Sequence, residues 1–292
     1  MALSIYRLDG ARIFPLKMDG TTPDEISRHL PHGLYTTFVT KKNGTRALGL
    51  TRHLDRLYDP AESEGVQPST SRTDLRWVLS ELAQKYAPGE SRFRIILNIT
   101  NGMVVIIQQP FLPTSKNVYI EGVNVITSDL VRQDPRRKDS RFIGESQSER
   151  SRVNKDIYEV LLTKNRRIYE GMTSNFYIVK YNGKDKATQG LLLNHVVSVT
   201  LVTARDGILL GVTRRAILRL ARGQGMSINF RPPLLSESFT EAFITSSSRG
   251  VVPVVSIDGA RVGEGRVGIW TQRLIQAYAL YEETHSELFI SS

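Results

Sequence analysis

The sequence predicts a mixed α/β (α+β) protein in two domains. Runs of β-branched and aromatic residues broken by turn residues dominate the first half, as in Gly33-Leu34-Tyr35-Thr36-Thr37-Phe38-Val39-Thr40 and Met103-Val104-Val105-Ile106-Ile107. Helical periodicity appears between them, with Leu75, Val78, Leu79, Leu82, Ala83 and Tyr86 on one face of a helix over Thr73 to Tyr86. Ser128 to Arg137 is polar and charged and contains Pro135, the composition of a connector. With 292 residues the chain is long enough for two cores. The expected division is an N-terminal α/β domain over 1–126, a connector over 127–137 and a larger C-terminal domain over 138–292.

The opening reads as a hairpin, Leu3 to Leu8 and Arg12 to Pro15 around Asp9-Gly10. A short helix follows from Pro23, with Thr22 as its cap. The strand from Gly33 turns at Lys42-Asn43-Gly44, returns through Arg46 to Leu50, and Thr51 to Tyr58 opens a helix. After the helix over Thr73 to Tyr86, Ser91 to Asn98 and Met103 to Ile107 pair around Asn101-Gly102. Val118 to Glu121 and Val123 to Ile126 read as further strands, and Phe142 to Leu162 as a region containing an unusually polar helix.

Glu170 is expected at the tip of a turn leading into the strand Phe176 to Val179. Asn182 to Gly190 then adds a loop or hairpin with Leu191 to Val199. Gly207 to Arg215 leads into a helix over Ala216 to Arg222. Glu241 to Val254 is strand, hydroxyl-rich turn and strand, Asp258-Gly259 a hairpin, and Gly265 begins a closing helix through Tyr281.

Composition narrows the function. Hydrophobic residues at 40% and charged residues at 23% describe a globular protein, and no run of about 18 apolar residues suggests a membrane span. The start is too polar for a signal peptide, so a cytoplasmic protein is expected. The absence of cysteine removes disulfides, thiolate metal sites and a cysteine nucleophile. The 5 histidines show no paired ligand spacing, so no metal is expected. A net charge of +10 would suit nucleic acid, but the basic residues are scattered without a stacking motif; anionic small molecules are the better partners.

The chemistry centres on Arg132 to Asn175. Lys138 ends the run Arg132-Gln133-Asp134-Pro135-Arg136-Arg137-Lys138, where three guanidinium groups crowd one ammonium and favour its neutral form. A neutral lysine attacks carbonyl carbon. Glu170 offers a carboxylate that would keep a heterocyclic nitrogen protonated, and the two groups together are what a pyridoxal phosphate enzyme needs. Taken singly, a lysine in an arginine run is commonly a solvated loop, and Glu-Gly before a strand is commonly a turn.

Arg132-x-x-Pro135-x-x-Lys138, Tyr158-Glu159-Val160-Leu161-Leu162 and Glu170-Gly171-x-x-Ser174-Asn175-Phe176 together resemble the class IV (fold type IV) pyridoxal phosphate aminotransferases. That family includes branched-chain and D-amino-acid aminotransferases and 4-amino-4-deoxychorismate lyase. The resemblance implies pyridoxal 5′-phosphate as cofactor between two α/β domains, bound by Lys138 as an aldimine, with Glu170 on the ring nitrogen. It implies phosphate contacts from Arg56, from the Val212 and Thr213 amides and the Thr213 hydroxyl, and from Ser247. It implies a substrate pocket shaped by Tyr35, Thr37, Arg94 and Ser248.

The expected activity is transfer of an amino group from an amino acid or chiral amine to a 2-oxo acid, by a homodimer. The lyase is the alternative, suggested by Gly33-x-Tyr35-Thr36-Thr37, and a non-catalytic member of the fold is the third. Ile143 stands where relatives often carry a tyrosine, and Val39 and Asn101 stand near positions where relatives carry carboxylate-binding arginines.

Overall fold

The computed structural model describes residues 3–181 and 198–290, and its strands collect into two sheets. In chain order, β1 (Ser4–Asp9) and β2 (Arg12–Leu16) form the expected hairpin, turning at Gly10 with φ 56°. Helix α1 (Pro23–His29) is capped as its sequence predicts, the Thr22 hydroxyl accepting from the Glu25 amide at 3.2 Å. Strands β3 (Gly33–Lys41) and β4 (Arg46–Leu48) turn through Lys42, Asn43 and Gly44, all at positive φ. Helices α2 (Leu50–Ser63) and α3 (Arg72–Ala83) follow, the latter leading into a 3-10 turn that ends at Tyr86. Strands β5 (Ser91–Asn98) and β6 (Val104–Pro110) complete the first run.

One expectation fails in the next stretch. Val118 to Glu121 is not a strand but part of α4 (Lys116–Glu121), because the Ser115 hydroxyl accepts from the Asn117 amide and Gly122 at φ 76° stops the chain after about one and a half turns. β7 (Val123–Ser128) is as expected. The polar region holds two short helices, α5 (Arg141–Glu145) and α6 (Gln147–Ser151), but Glu159 to Leu162 belongs to a strand, β8 (Glu159–Lys164), which pairs in parallel with β7. An apolar run buried in a parallel sheet lacks the alternation that marks an exposed strand.

The chain continues as β9 (Arg167–Gly171), β10 (Asn175–Tyr181), β11 (Val199–Thr203), α7 (Val212–Gly223), β12 (Ser227–Phe230), β13 (Glu241–Ser246), β14 (Gly250–Ile257) and β15 (Ala260–Arg261). It closes with α8 (Ile269–His285) and β16 (Ser286–Leu288). The loop expected over 182–199 lies, up to residue 197, outside the described residues.

Among the described residues the first sheet has 7 strands in the order β16-β4-β3-β5-β6-β1-β2. Alternation along β3, β5 and β6 divides its faces. Leu34, Phe38, Phe93, Ile95, Leu97 and Ile106 pack with Leu54, Leu57, Val78 and Leu79 of α2 and α3. On the other face Tyr35, Ile96, Val105 and Ile107 pack with Ile26 and Leu30, from α1 and its C-terminal cap, and with Ile143 of α5. The second sheet has 9 strands, β12-β11-β10-β13-β14-β7-β8-β9 with β15 beside β14. Glu170 on β9 also pairs with Asn175 on β10, so β10-β13-β14-β7-β8-β9 closes on itself around a core that includes Leu161, Phe176, Ile178, Ile244 and Val252.

Contacts divide the chain into Met1–Pro113 with Asp134–Gln147 and Tyr281–Ser292, and Thr114–Gln133 with Ser148–Leu280. This departs from boundaries at 126 and 138. β7 lies in the second sheet, and Lys138 lies in the first unit because its backbone pairs with β3.

Candidate active site

Lys138 is placed by backbone chemistry. The Tyr35 amide donates to the Lys138 carbonyl at 2.8 Å, the Ser140 amide donates to the Gly33 carbonyl at 2.8 Å, and the Gly33 amide donates to the Ser140 hydroxyl at 3.0 Å. Position 33 must be glycine, since a Cβ there would collide with the Leu97 carbonyl oxygen. The result is an ammonium 4.8 Å from the centroid of the Tyr35 ring, in cation–π range.

The arginine run plays a different part from the one its proximity in sequence suggests. Arg137 pairs with Glu64, and Arg132 pairs with Glu170, so two of the three guanidinium groups expected to crowd Lys138 are engaged by carboxylates. In the first unit the charges of Arg56 and Lys138 both act on His53. Arg56 is half-buried, and burial lowers its guanidinium to about 10, Tyr35 opposing the shift. His53, one helical turn before it, is buried with Nδ1 2.7 Å from the Thr36 hydroxyl and its ring against Phe38. Burial, then the charges of Arg56 and Lys138, hold its imidazole well below the ordinary value.

That shift carries a sign. Above about pH 6.5 His53 is neutral in both folded and unfolded chains, and its contribution to stability is fully present. Below it the unfolded chain takes up a proton that the buried ring refuses, so stability falls as pH drops toward the folded value. Unfolding free energies from urea titrations at pH 7.5 and 5.5 should therefore differ less for His53→Asn than for the wild type, by up to about 1.4 kcal/mol per pH unit.

The other residues expected in the pocket are distributed unevenly. The Thr37 hydroxyl and His53 Nε2 are buried with no hydrogen-bond partner among the described residues. Arg94 is buried and committed: its Nη1 lies 2.6 Å from Asp24 and 2.9 Å from both the Pro23 carbonyl and the Ser27 hydroxyl. These contacts tie α1 to β5, and its guanidinium lies 5.4 Å from the Tyr35 centroid. Ile143 is core, fully buried.

In the second unit Glu170 sits in β9 itself rather than at a turn tip, and is buried. Its Oε1 accepts from Arg132 Nε at 3.1 Å and its Oε2 from the Leu209 amide at 2.9 Å. Arg132 also donates to the Met172 carbonyl at 3.1 Å, and Asn175 donates to the Leu209 carbonyl at 2.7 Å. The carboxylate is thus fixed from both sides. Gly211 follows, packed so that a Cβ would collide with Asn175 Oδ1, and α7 starts at Val212, four residues earlier than expected.

With glycine as the N-cap, no side chain caps the first turn of α7, and the Val212 and Thr213 amides stand at the positive end of the helix. The Thr213 hydroxyl lies 3.3 Å from the Tyr278 hydroxyl, and the Tyr278 ring lies 3.2 Å from where a Gly250 Cβ would be. Tyr278 so links the start of α7 to the hairpin turn carrying Ser247 and Ser248, both half-buried. The second unit thus brings together a fixed carboxylate with amides and hydroxyls at a helix start. These are the donor types that fit a phosphorylated heterocyclic aldehyde.

Residues 33–257 match the model of amino-transferase class IV. The chain is 26% identical over 244 residues to a D-alanine aminotransferase of Bacillus licheniformis, covering 77% of this chain and 79% of that one. Its fold is similar to that of the T.th. branched-chain amino acid aminotransferase with pyridoxamine 5′-phosphate, with TM-score 0.76, 16% identity and 98% of each chain covered. It is similar also to 4-amino-4-deoxychorismate lyase from Pseudomonas aeruginosa, with TM-score 0.65, 20% identity, and 87% of this chain and 91% of that chain covered. With the family match spanning strands of both sheets, Lys138 and Glu170, the chain belongs to the class IV aminotransferases.

Proposed function

We propose that this protein uses pyridoxal 5′-phosphate to move an amino group from a small-molecule amino donor to a 2-oxo acid acceptor, as a cytoplasmic homodimer. The observation that supports it most is the presence of both required roles: a lysine amine set over the Tyr35 ring, and a buried carboxylate clamped by Arg132 and the Leu209 amide. When bound, the cofactor supplies the aldehyde carbon that takes nitrogen and the ring that draws electrons from the substrate carbon.

The chain's own residues do the rest. Lys138 would hold the cofactor through its aldehyde carbon, and its amine would serve as the base that moves a proton at the substrate carbon. Glu170, held by two donors, keeps a proton on the ring nitrogen. The Val212 and Thr213 amides, the Thr213 and Ser247 hydroxyls and the Arg56 guanidinium hold the phosphate. Tyr35, Thr37 and Ser248 contact the substrate, with Arg94 beside the Tyr35 ring. The lyase reading keeps one observation in its favour, the buried Thr37 hydroxyl with no partner among the described residues.

One experiment separates the two. The loaded enzyme is mixed with L-amino acids, D-amino acids, chiral amines or aminodeoxychorismate, without acceptor. Stoichiometric conversion of cofactor to pyridoxamine phosphate together with one oxo product supports the transaminase. Catalytic pyruvate release from aminodeoxychorismate with the cofactor unchanged overturns it in favour of the lyase.

A further inference from the structure

A buried carboxylate and a half-buried guanidinium that make none of the proposed cofactor contacts tie two turns of the second unit together. Glu159 opens β8 and is buried. Its Oε2 accepts from the Thr173 hydroxyl at 2.5 Å, the Ser174 hydroxyl at 3.2 Å and Arg249 Nη2 at 3.0 Å, and its Oε1 accepts from the Val160 amide at 3.2 Å. Arg249 Nη2 also donates to the Thr173 hydroxyl at 2.6 Å, and its Nε donates to the Ser246 hydroxyl at 2.9 Å. The guanidinium lies 5.4 Å from the Tyr158 ring centroid. Burial lowers its pKa, but Glu159 and Tyr158 together outweigh that and the net shift is upward.

Both turns are closed around this pair. A Cβ on Gly171 would collide with the Ser174 hydroxyl and lie 3.1 Å from Glu159 Cγ, so only glycine lets the Met172–Ser174 turn fold back on the carboxylate. The Tyr119 hydroxyl donates to the Arg249 carbonyl at 2.8 Å, fixing the other turn from outside. The Met172 carbonyl, at the start of the first turn, is the acceptor for Arg132, which holds Glu170. Ser247 and Ser248 lie between the two residues of the second turn that Arg249 joins, Ser246 and itself.

We infer that Glu159 and Arg249 are positioning residues that lock the Ser247–Ser248 turn to the Met172–Ser174 turn, so that the phosphate-side hydroxyl and the Glu170 carboxylate keep a fixed spacing. The inference rests on the pyridoxal phosphate reading. Charge-assisted bonds suit this task because they are directional as well as strong. Arg132 and Leu209 clamp Glu170 without Arg249, so loss of the pair loosens the phosphate end while the ring-nitrogen end stays in place.

The test compares two ligands on the cofactor-free full chain: pyridoxal phosphate and pyridoxal, titrated by absorbance. Arg249→Lys keeps the charge but loses the forked geometry. The double variant Glu159→Gln/Arg249→Met removes both charges, so that neither is left unpaired, and thermal melting checks its fold. Preference for pyridoxal phosphate over pyridoxal should fall at least about tenfold in both variants, with pyridoxal affinity within about twofold of wild type. An unchanged preference, or an equal loss for both ligands, overturns the positioning role. Wild-type protein that binds neither ligand overturns the cofactor reading itself and this inference with it.

Discussion

Replacing Lys138 by alanine should remove the visible absorbance that pyridoxal phosphate gives the wild-type protein and lower turnover by at least about 10⁴-fold. The loss is chemical rather than structural. The bond that places residue 138 runs from the Tyr35 amide to a backbone carbonyl and survives the substitution. The ammonium over the Tyr35 ring is lost, a contact contributing about 0.5–1 kcal/mol. A melting temperature within a few degrees of wild type, beside complete loss of the band, is the expected pair of results. Lys138→Arg sharpens the comparison, because arginine keeps the cation near Tyr35 but stays protonated and cannot act as nucleophile or base. It should be as inactive as the alanine variant; substantial activity in either would remove Lys138 from the chemistry.

Glu170→Gln should act on both stability and turnover. The carboxylate accepts from Arg132 Nε and from the Leu209 amide, and both it and Arg132 are buried. An amide has one acceptor oxygen, so one of those two donors faces an NH₂ group, and Arg132 is left as a buried charge without this counter-ion. Breaking a buried pair in this way costs about 3–5 kcal/mol, readable as a lowered urea midpoint. Turnover should fall on the order of 100-fold or more, because the ring nitrogen loses the anion that holds its proton. The two effects separate in Glu170→Asp, which restores the charge one methylene short. It should recover more stability than activity.

Some of these features are legible in the chain alone and others are not, for physical reasons. The hairpins at Asp9-Gly10 and Asp258-Gly259 and the turn at Lys42-Asn43-Gly44 are predictable because left-handed backbone selects a few residue types. Thr22 and Pro23 announce α1 by capping chemistry alone. α4 is hidden because six residues rich in strand formers are made helical by their flanks, Ser115 and Gly122. β8 is hidden because a strand covered on both faces has no period of two.

At the site, local motifs single out Lys138, Glu170, Arg56 and the start of α7. Sequence proximity misleads wherever long-range pairing decides. Arg132 is a neighbour of Lys138 along the chain, whereas its guanidinium engages a carboxylate 38 residues away. Arg94 is expected at the substrate, yet it is paired with Asp24. His53 offers only its three-residue spacing from Arg56. Glu159 stands inside a recognised motif, but its bond to Arg249, 90 residues on, exists only in the fold.

The most direct test of the central claim is chemical. The purified protein is incubated with pyridoxal phosphate, treated with borohydride, digested and mapped by mass spectrometry. A single pyridoxyl group on Lys138, suppressed when an amino donor is added before reduction, is the predicted result. Label scattered over surface lysines, or a Lys138 peptide that carries none, would contradict the account.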